Sequence, residues 1–145
     1  MKEIEFHFNV PDKLQYSCRL LRKVYLRGMR AVVTAETPVL AELDQLLWTF
    51  SPAGFLPHCM ATAGAAAVAA TPILLAQQPE QCPADSVLIN LGQQIPGGFA
   101  RFDRFIELVS ELPDDRLAGR SRWKTYKDGG FELKRHDLTA SGEAG

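Results

Sequence analysis

The 145-residue chain reads as one α/β domain, a three-layer α/β/α sandwich with a mostly parallel central sheet. Two observations predict it. Apolar residues switch between period two and helical spacing along the chain, and the strand-like runs alternate with amphipathic segments long enough to act as parallel crossovers. A chain of this length buries enough surface for a single core. The domain is expected over residues 1–138, followed by a polar tail, 139–145, expected to be disordered.

Each element has its own signal. Ile4, Phe6 and Phe8 alternate with Glu3, Glu5 and His7, which predicts a first strand with one face buried, stopped by Pro11 and Asp12. Leu14, Cys18, Leu21 and Tyr25 then share one face of a helix that Gly28 ends. Ala31 to Ala35 is a second strand, and Thr37 with Pro38 forms an N-cap and first helical position. In the helix that follows, Val39, Leu43, Leu46, Leu47 and Phe50 form the core stripe. At ~100° per residue, Trp48 projects nearly opposite that stripe and is expected to be partly exposed.

Residues 51–60 read as a proline-punctuated loop, and Ile73 to Ala76 and Val87 to Leu91 as the third and fourth strands. Phe102, Phe105, Ile106 and Val109 have helical spacing, so an amphipathic helix is expected there, ended by Pro113. A further helix spans Asp114 to Lys127 and breaks at Gly129 and Gly130. Phe131, Leu133 and Leu138 mark a last strand.

Composition narrows the function classes. Apolar residues are 46% and charged residues 23%, ordinary for a globular protein, and the formal net charge is −1. A protein that grips duplex nucleic acid usually carries a basic excess, so any anion binding here must be local. Residues 1–10 have no apolar signal core, and Ala61 to Ala76 is too short and too interrupted to span a bilayer. Cys18, Cys59 and Cys82 are odd in number and lack CxxC spacing, which fits a reducing cytoplasm.

An α/β fold makes a small nucleotide- or small-molecule-binding enzyme the competing reading, but the glycines of a phosphate-binding turn are missing. Neither GxGxxG nor GxxxxGK[ST] occurs, and Gly97-Gly98 is an isolated pair. His7, His58 and His136 are scattered and form no metal-ligand motif. Cys59 follows His58, yet adjacent residues seldom face one another and no third orienting group is evident. Asp114-Asp115 after Pro113 is explained by the helix macrodipole. No catalytic residue, metal site or cofactor is therefore expected.

Binding features are stronger. Arg116, Arg120, Arg122, Lys124 and Lys127 occupy twelve residues that contain no acidic one. On a helix, Arg116, Arg120, Trp123, Lys124 and Lys127 share an arc of ~100°, while Arg122 points elsewhere. A solvated helix face accounts for this as readily as a ligand does. The sharper alternative is a site for a short acidic peptide with an apolar anchor, because guanidinium groups grip carboxylates bidentately and Trp contributes contact area. Single-stranded nucleic acid, stacked on Trp123 and Tyr126, is the rival ligand. A second surface, Trp48 to His58 (WTFSPAGFLPH), has large apolar groups suited to a protein interface.

At these same residues the sequence resembles the chi subunit of bacterial DNA polymerase III holoenzyme. One block is Leu43-Asp44, Leu47-Trp48, Phe50, Pro52 and Phe55-x-Pro57-His58. The other is Arg120-x-Arg122-Trp123-Lys124-x-Tyr126 with Gly130-Phe131-x-Leu133. The resemblance implies a non-catalytic accessory subunit of the clamp-loader assembly that contacts DNA only indirectly. It implies two partners: the psi subunit, and the acidic C-terminal tail of the single-stranded-DNA-binding protein, which ends in Phe. It places the tail on Arg120, Trp123 and Lys124, to which the helix face adds the neighbouring Arg116 and Lys127, with an apolar pocket near Leu112, Pro113 and Leu117 for the terminal Phe. It places the psi contact on Trp48, Phe55, Pro57 and His58, a surface through which some members are thought to pair with a repair helicase. Ala63 to Ala70 departs from the family, being alanine-rich, and so helix-favouring, where relatives carry a glycine-containing polar loop.

Overall fold

The period-two run at the start of the chain does become a strand, β1 (Glu3–Val10), in a computed structural model that describes residues 3–49 and 56–141. Asp12 caps the helix that follows, α1 (Lys13–Leu26), its side chain accepting from Gln15 N at 3.1 Å, a contact worth about 1 kcal/mol. Next come β2 (Ala31–Thr34), α2 (Thr37–Thr49), β3 (His58–Met60), α3 (Ala65–Ala70), β4 (Ile73–Leu75) and β5 (Val87–Asn90). The C-terminal half supplies β6 (Arg104–Ser110), α4 (Pro113–Asp128), β7 (Glu132–Asp137) and the short α5 (Leu138–Ser141). The seven strands of the described residues form one parallel sheet in the order β3-β4-β2-β5-β6-β1-β7.

The sheet is covered on both faces. Val33, Leu75, Ile89, Ile106 and Leu108 pack under Cys18 and Leu21 of α1 and Leu43 and Leu47 of α2. On the other face Ile4, Phe6, Phe105 and Val109 meet Tyr126 and the partly buried Trp123 of α4. The α/β sandwich is thus as expected, with every strand pairing parallel.

Four elements differ from expectation. The segment around Phe105, Ile106 and Val109 is the strand β6, between β5 and β1, and not a helix. A strand buried on both faces reads as a nearly continuous apolar run, and helical spacing arises in such a run by chance. The loop expected over 51–60 ends in a strand, since His58, Cys59 and Met60 pair with Ile73, Leu74 and Leu75. Leu40, absent from the expected α2 stripe, is buried beside Leu43 and Leu47. Leu138 opens α5 instead of closing β7. The alanine-rich stretch is helical, as α3.

Candidate functional site

Because β1 lies between β6 and β7, the C-terminal end of β1 and the α4 that joins its two neighbours enclose a cleft of about 410 Å³. Three sources line it: Phe6, Phe8 and Asn9 of β1 with Val109 and Ser110 of β6; Arg116, Gly119, Arg120 and Trp123 of α4; and Arg135 of β7. Period-two geometry puts Phe6 and Phe8 on the α4 side of the sheet, where the Trp123 ring meets Phe6 edge-on with centroids 5.0 Å apart.

The bearing of α4 is set by its buried side. Asp115, Gly119, Arg122 and Tyr126 are its buried residues. Asp115 accepts from Ser110 N at 2.7 Å and from Lys13 Nζ at 3.0 Å. Burial pushes its carboxyl up, but the Ser110 amide and the Lys13 charge outweigh this and hold it below the usual carboxylate range. Asp114 is exposed, so the two acidic residues form no paired-carboxylate site. Gly119 lets α4 lie directly on β6, because a Cβ there would come within 2.8 Å of Val109 Cγ2. With this side fixed, a step of ~100° per residue turns Arg116, Arg120 and Trp123 towards the cleft and Leu117 away from the sheet.

Arg116, Arg120, Lys124 and Lys127 are all exposed, and Trp123 is half-buried against the core. Only Arg116, Arg120 and Trp123 of this set line the cleft. Arg120, Lys124 and Lys127 have no carboxylate partner among the described residues. Leu112 and Leu117, 68% and 64% exposed, do not line the concavity, and neither does Pro113. The apolar floor is built from Phe6, Phe8, Val109 and Trp123 instead of from these three residues. Arg122 does point elsewhere, into a buried ion pair with Glu107.

Sequence spacing does not bring residues of the N-terminal strand and of β7 into the site. Its alternation marks Phe6 and Phe8 as core, and Arg135 stands at the other end of the chain. The parallel register of Phe6 with Arg135 joins them, and the Arg135 guanidinium lies 4.9 Å from the centroid of the Phe8 ring. Asn9 ties the walls together from a left-handed backbone conformation, φ 59°. Its Nδ2 donates to Asp137 at 2.9 Å, and its Oδ1 accepts from Arg116 Nη2 at 3.0 Å.

The second surface lies on the far part of the sheet. Trp48 is 55% exposed at the end of α2, and its ring centroid lies 4.8 Å from that of the buried His58. His58 Nδ1 is 2.7 Å from Leu56 O, and Nε2 is 3.2 Å from Asp44 Oδ1. His58 and Cys59 contribute to opposite faces of β3, His58 towards α2 and Cys59 towards the other cluster, so they do not act as a pair. Pro57 is half-buried beside them, whereas Phe50 and Phe55 lie outside the described residues. Among the described residues no three His, Cys, Asp or Glu side chains gather in a metal-binding group, and no helix is long and apolar enough to cross a membrane.

Residues 1–134 match the sequence profile of the family described as DNA polymerase III chi subunit, HolC. The chain belongs to the DNA polymerase III chi-subunit family. It is 35% identical over 127 residues to the DNA polymerase III subunit chi of Pseudomonas aeruginosa, covering 87% of each chain. It is 26% identical over 126 residues to that of Haemophilus influenzae, covering 86% of each. Against the Escherichia coli subunit chi it is 26% identical over 120 residues, 82% of this chain and 81% of the relative. As a chi-family member the chain is assigned to DNA polymerase III and to DNA replication, and Trp48 and every cleft-lining residue but Arg135 lie within the matched span.

Proposed function

We propose that this chi-family chain is a non-catalytic accessory subunit of the clamp-loader assembly that bridges two proteins. One is the psi subunit; the other is the acidic C-terminal tail of the single-stranded-DNA-binding protein. The observation that carries this reading is the cleft, where guanidinium groups without carboxylate partners stand over an aromatic floor. An acidic peptide with an apolar terminus has the complementary chemistry: carboxylates for Arg116 and Arg120, and an aromatic ring for Phe6, Phe8 and Trp123. Lys124 and Lys127, outside the cleft on the same exposed side, add to its positive field. Trp48, exposed above His58 and remote from the cleft, supports a separate psi contact, since an exposed Trp at an interface usually carries much of the binding energy.

The test is a calorimetric titration with a synthetic acidic peptide ending in Phe. Binding should weaken with salt, by roughly tenfold or more in Arg120→Ala, and severely when the terminal Phe is omitted. Absence of binding by the unaltered protein at low salt would overturn the tail-bridging role.

A further inference from the structure

The basic run in α4 supplies one wall of the cleft. The opposite wall is the edge strand β7, and Arg135 is the residue of that strand lining the cleft. Its neighbours in sequence show that this is a placed cation. Lys134, on the other face of β7, pairs with Glu3 at 3.3 Å. Arg135 has no carboxylate partner among the described residues and rests over the Phe8 ring. A guanidinium over an aromatic face keeps its charge and most of its N–H donors for a ligand while losing side-chain freedom. Asn9 braces both walls at once, through Arg116 on α4 and Asp137 on β7.

We infer that Arg135 is a ligand-binding and specificity-determining residue of the cleft: with Arg116 and Arg120 opposite, it makes a two-walled clamp that holds an acidic peptide's carboxylates from both sides of its apolar anchor. This rests on the acidic-tail reading and adds to it a residue from outside the α4 segment. A ligand with one negative group would satisfy one wall, so the clamp selects peptides in which several carboxylates flank the aromatic end.

The experiment titrates a fluorescein-labelled acidic peptide ending in Phe, followed by anisotropy, into four proteins: unaltered, Arg120→Ala, Arg135→Ala and Lys134→Ala. The expected result is a loss of roughly five- to tenfold in affinity for Arg135→Ala, a shallower salt dependence for that variant, and no change for Lys134→Ala. Equal affinities for Arg135→Ala and the unaltered protein, with Arg120→Ala weakened, would overturn the clamp and leave the α4 site standing. Equal losses in Arg135→Ala and Lys134→Ala would also overturn it, because a general surface field would then explain both. Failure of the unaltered protein to bind would instead remove the tail reading on which the clamp depends. Arg135 is exposed on an edge strand, so Arg135→Ala should fold; an unchanged melting temperature confirms that affinity is being read.

Discussion

Arg122 Nε donates to Glu107 Oε2 at 3.0 Å, with the two side chains 3% and 0% exposed. This buried pair joins the middle of α4 to the centre of β6. Tyr126 donates its hydroxyl to the same carboxylate oxygen at 2.6 Å, and Asn90 Nδ2 donates to the other at 2.9 Å. Burial pushes the Glu107 carboxyl up, against the pull of Arg122, Tyr126 and Asn90. A buried ion pair contributes little net stability, but removing one partner leaves an uncompensated charge. Arg122→Ala should therefore cost about 3–5 kcal/mol in urea denaturation, whereas the double change Glu107→Gln with Arg122→Met should cost distinctly less. An Arg122→Ala protein as stable as the parent would show that α4 is held by its aromatic contacts alone.

Glu5 gives the fold an acid-sensitive contact. Burial pushes its carboxyl up, but the paired Arg104 guanidinium and the His7 imidazole 3.8 Å away prevail and hold it at about 2 against an ordinary 4.5. A folded-state value below the unfolded one means stability fully present above pH 4.5 and lost as the pH falls towards 2. Asp115 shifts in the same direction. Glu107 shifts oppositely: its ionised form is penalised by burial, so its contribution declines as the pH rises from the unfolded value through the raised folded one. Glu5→Gln should flatten the melting-temperature profile between pH 4.5 and 2 without altering peptide binding at neutral pH. An identical slope in both proteins would place the acid sensitivity at other carboxylates.

Trp48 should separate the two proposed binding surfaces. Its exposure means that Trp48→Ala removes little core packing, so the melting temperature should move only slightly. Affinity for a psi subunit should fall at least tenfold, as expected for an aromatic anchor, while affinity for the acidic peptide stays unchanged. Surface plasmon resonance with each partner reads both effects; a loss confined to the peptide would reverse the assignment of the surfaces.

Sequence periodicity made the amphipathic elements legible and left the buried ones ambiguous. β1 and α1 each keep a polar side, and their alternation and i, i+4 spacing appear directly in Glu3–Val10 and Lys13–Leu26. β6 has no solvent side: Phe105, Glu107 and Val109 face α4, while Ile106 and Leu108 face α1 and α2, so its pattern carries no phase. β3 is only three residues long and follows a proline. The α4 half of the cleft was legible because five cations stand in one segment. The β1 and β7 halves required the register, since 128 residues separate Asn9 from Asp137.

Gly119 links the packing of α4 to the cleft. A methyl group there would lie 2.8 and 2.9 Å from the two Val109 methyl carbons, closer than van der Waals contact permits. Strand β6 is fixed between β5 and β1, so α4 must move away from it. Gly119→Ala should therefore destabilise by about 1–3 kcal/mol despite the higher helix propensity of alanine. It should also weaken peptide binding, because Arg116, Arg120 and Trp123 move with the helix while Phe6, Phe8 and Arg135 stay with the sheet. Val109→Ala removes both clashing methyls, so the double change should recover binding more fully than stability, which still lacks the buried valine groups. Chemical denaturation and peptide anisotropy on the single and double variants test the coupling. Additive losses in the double variant would mean that the Gly119 contact with Val109 does not set the position of the helix.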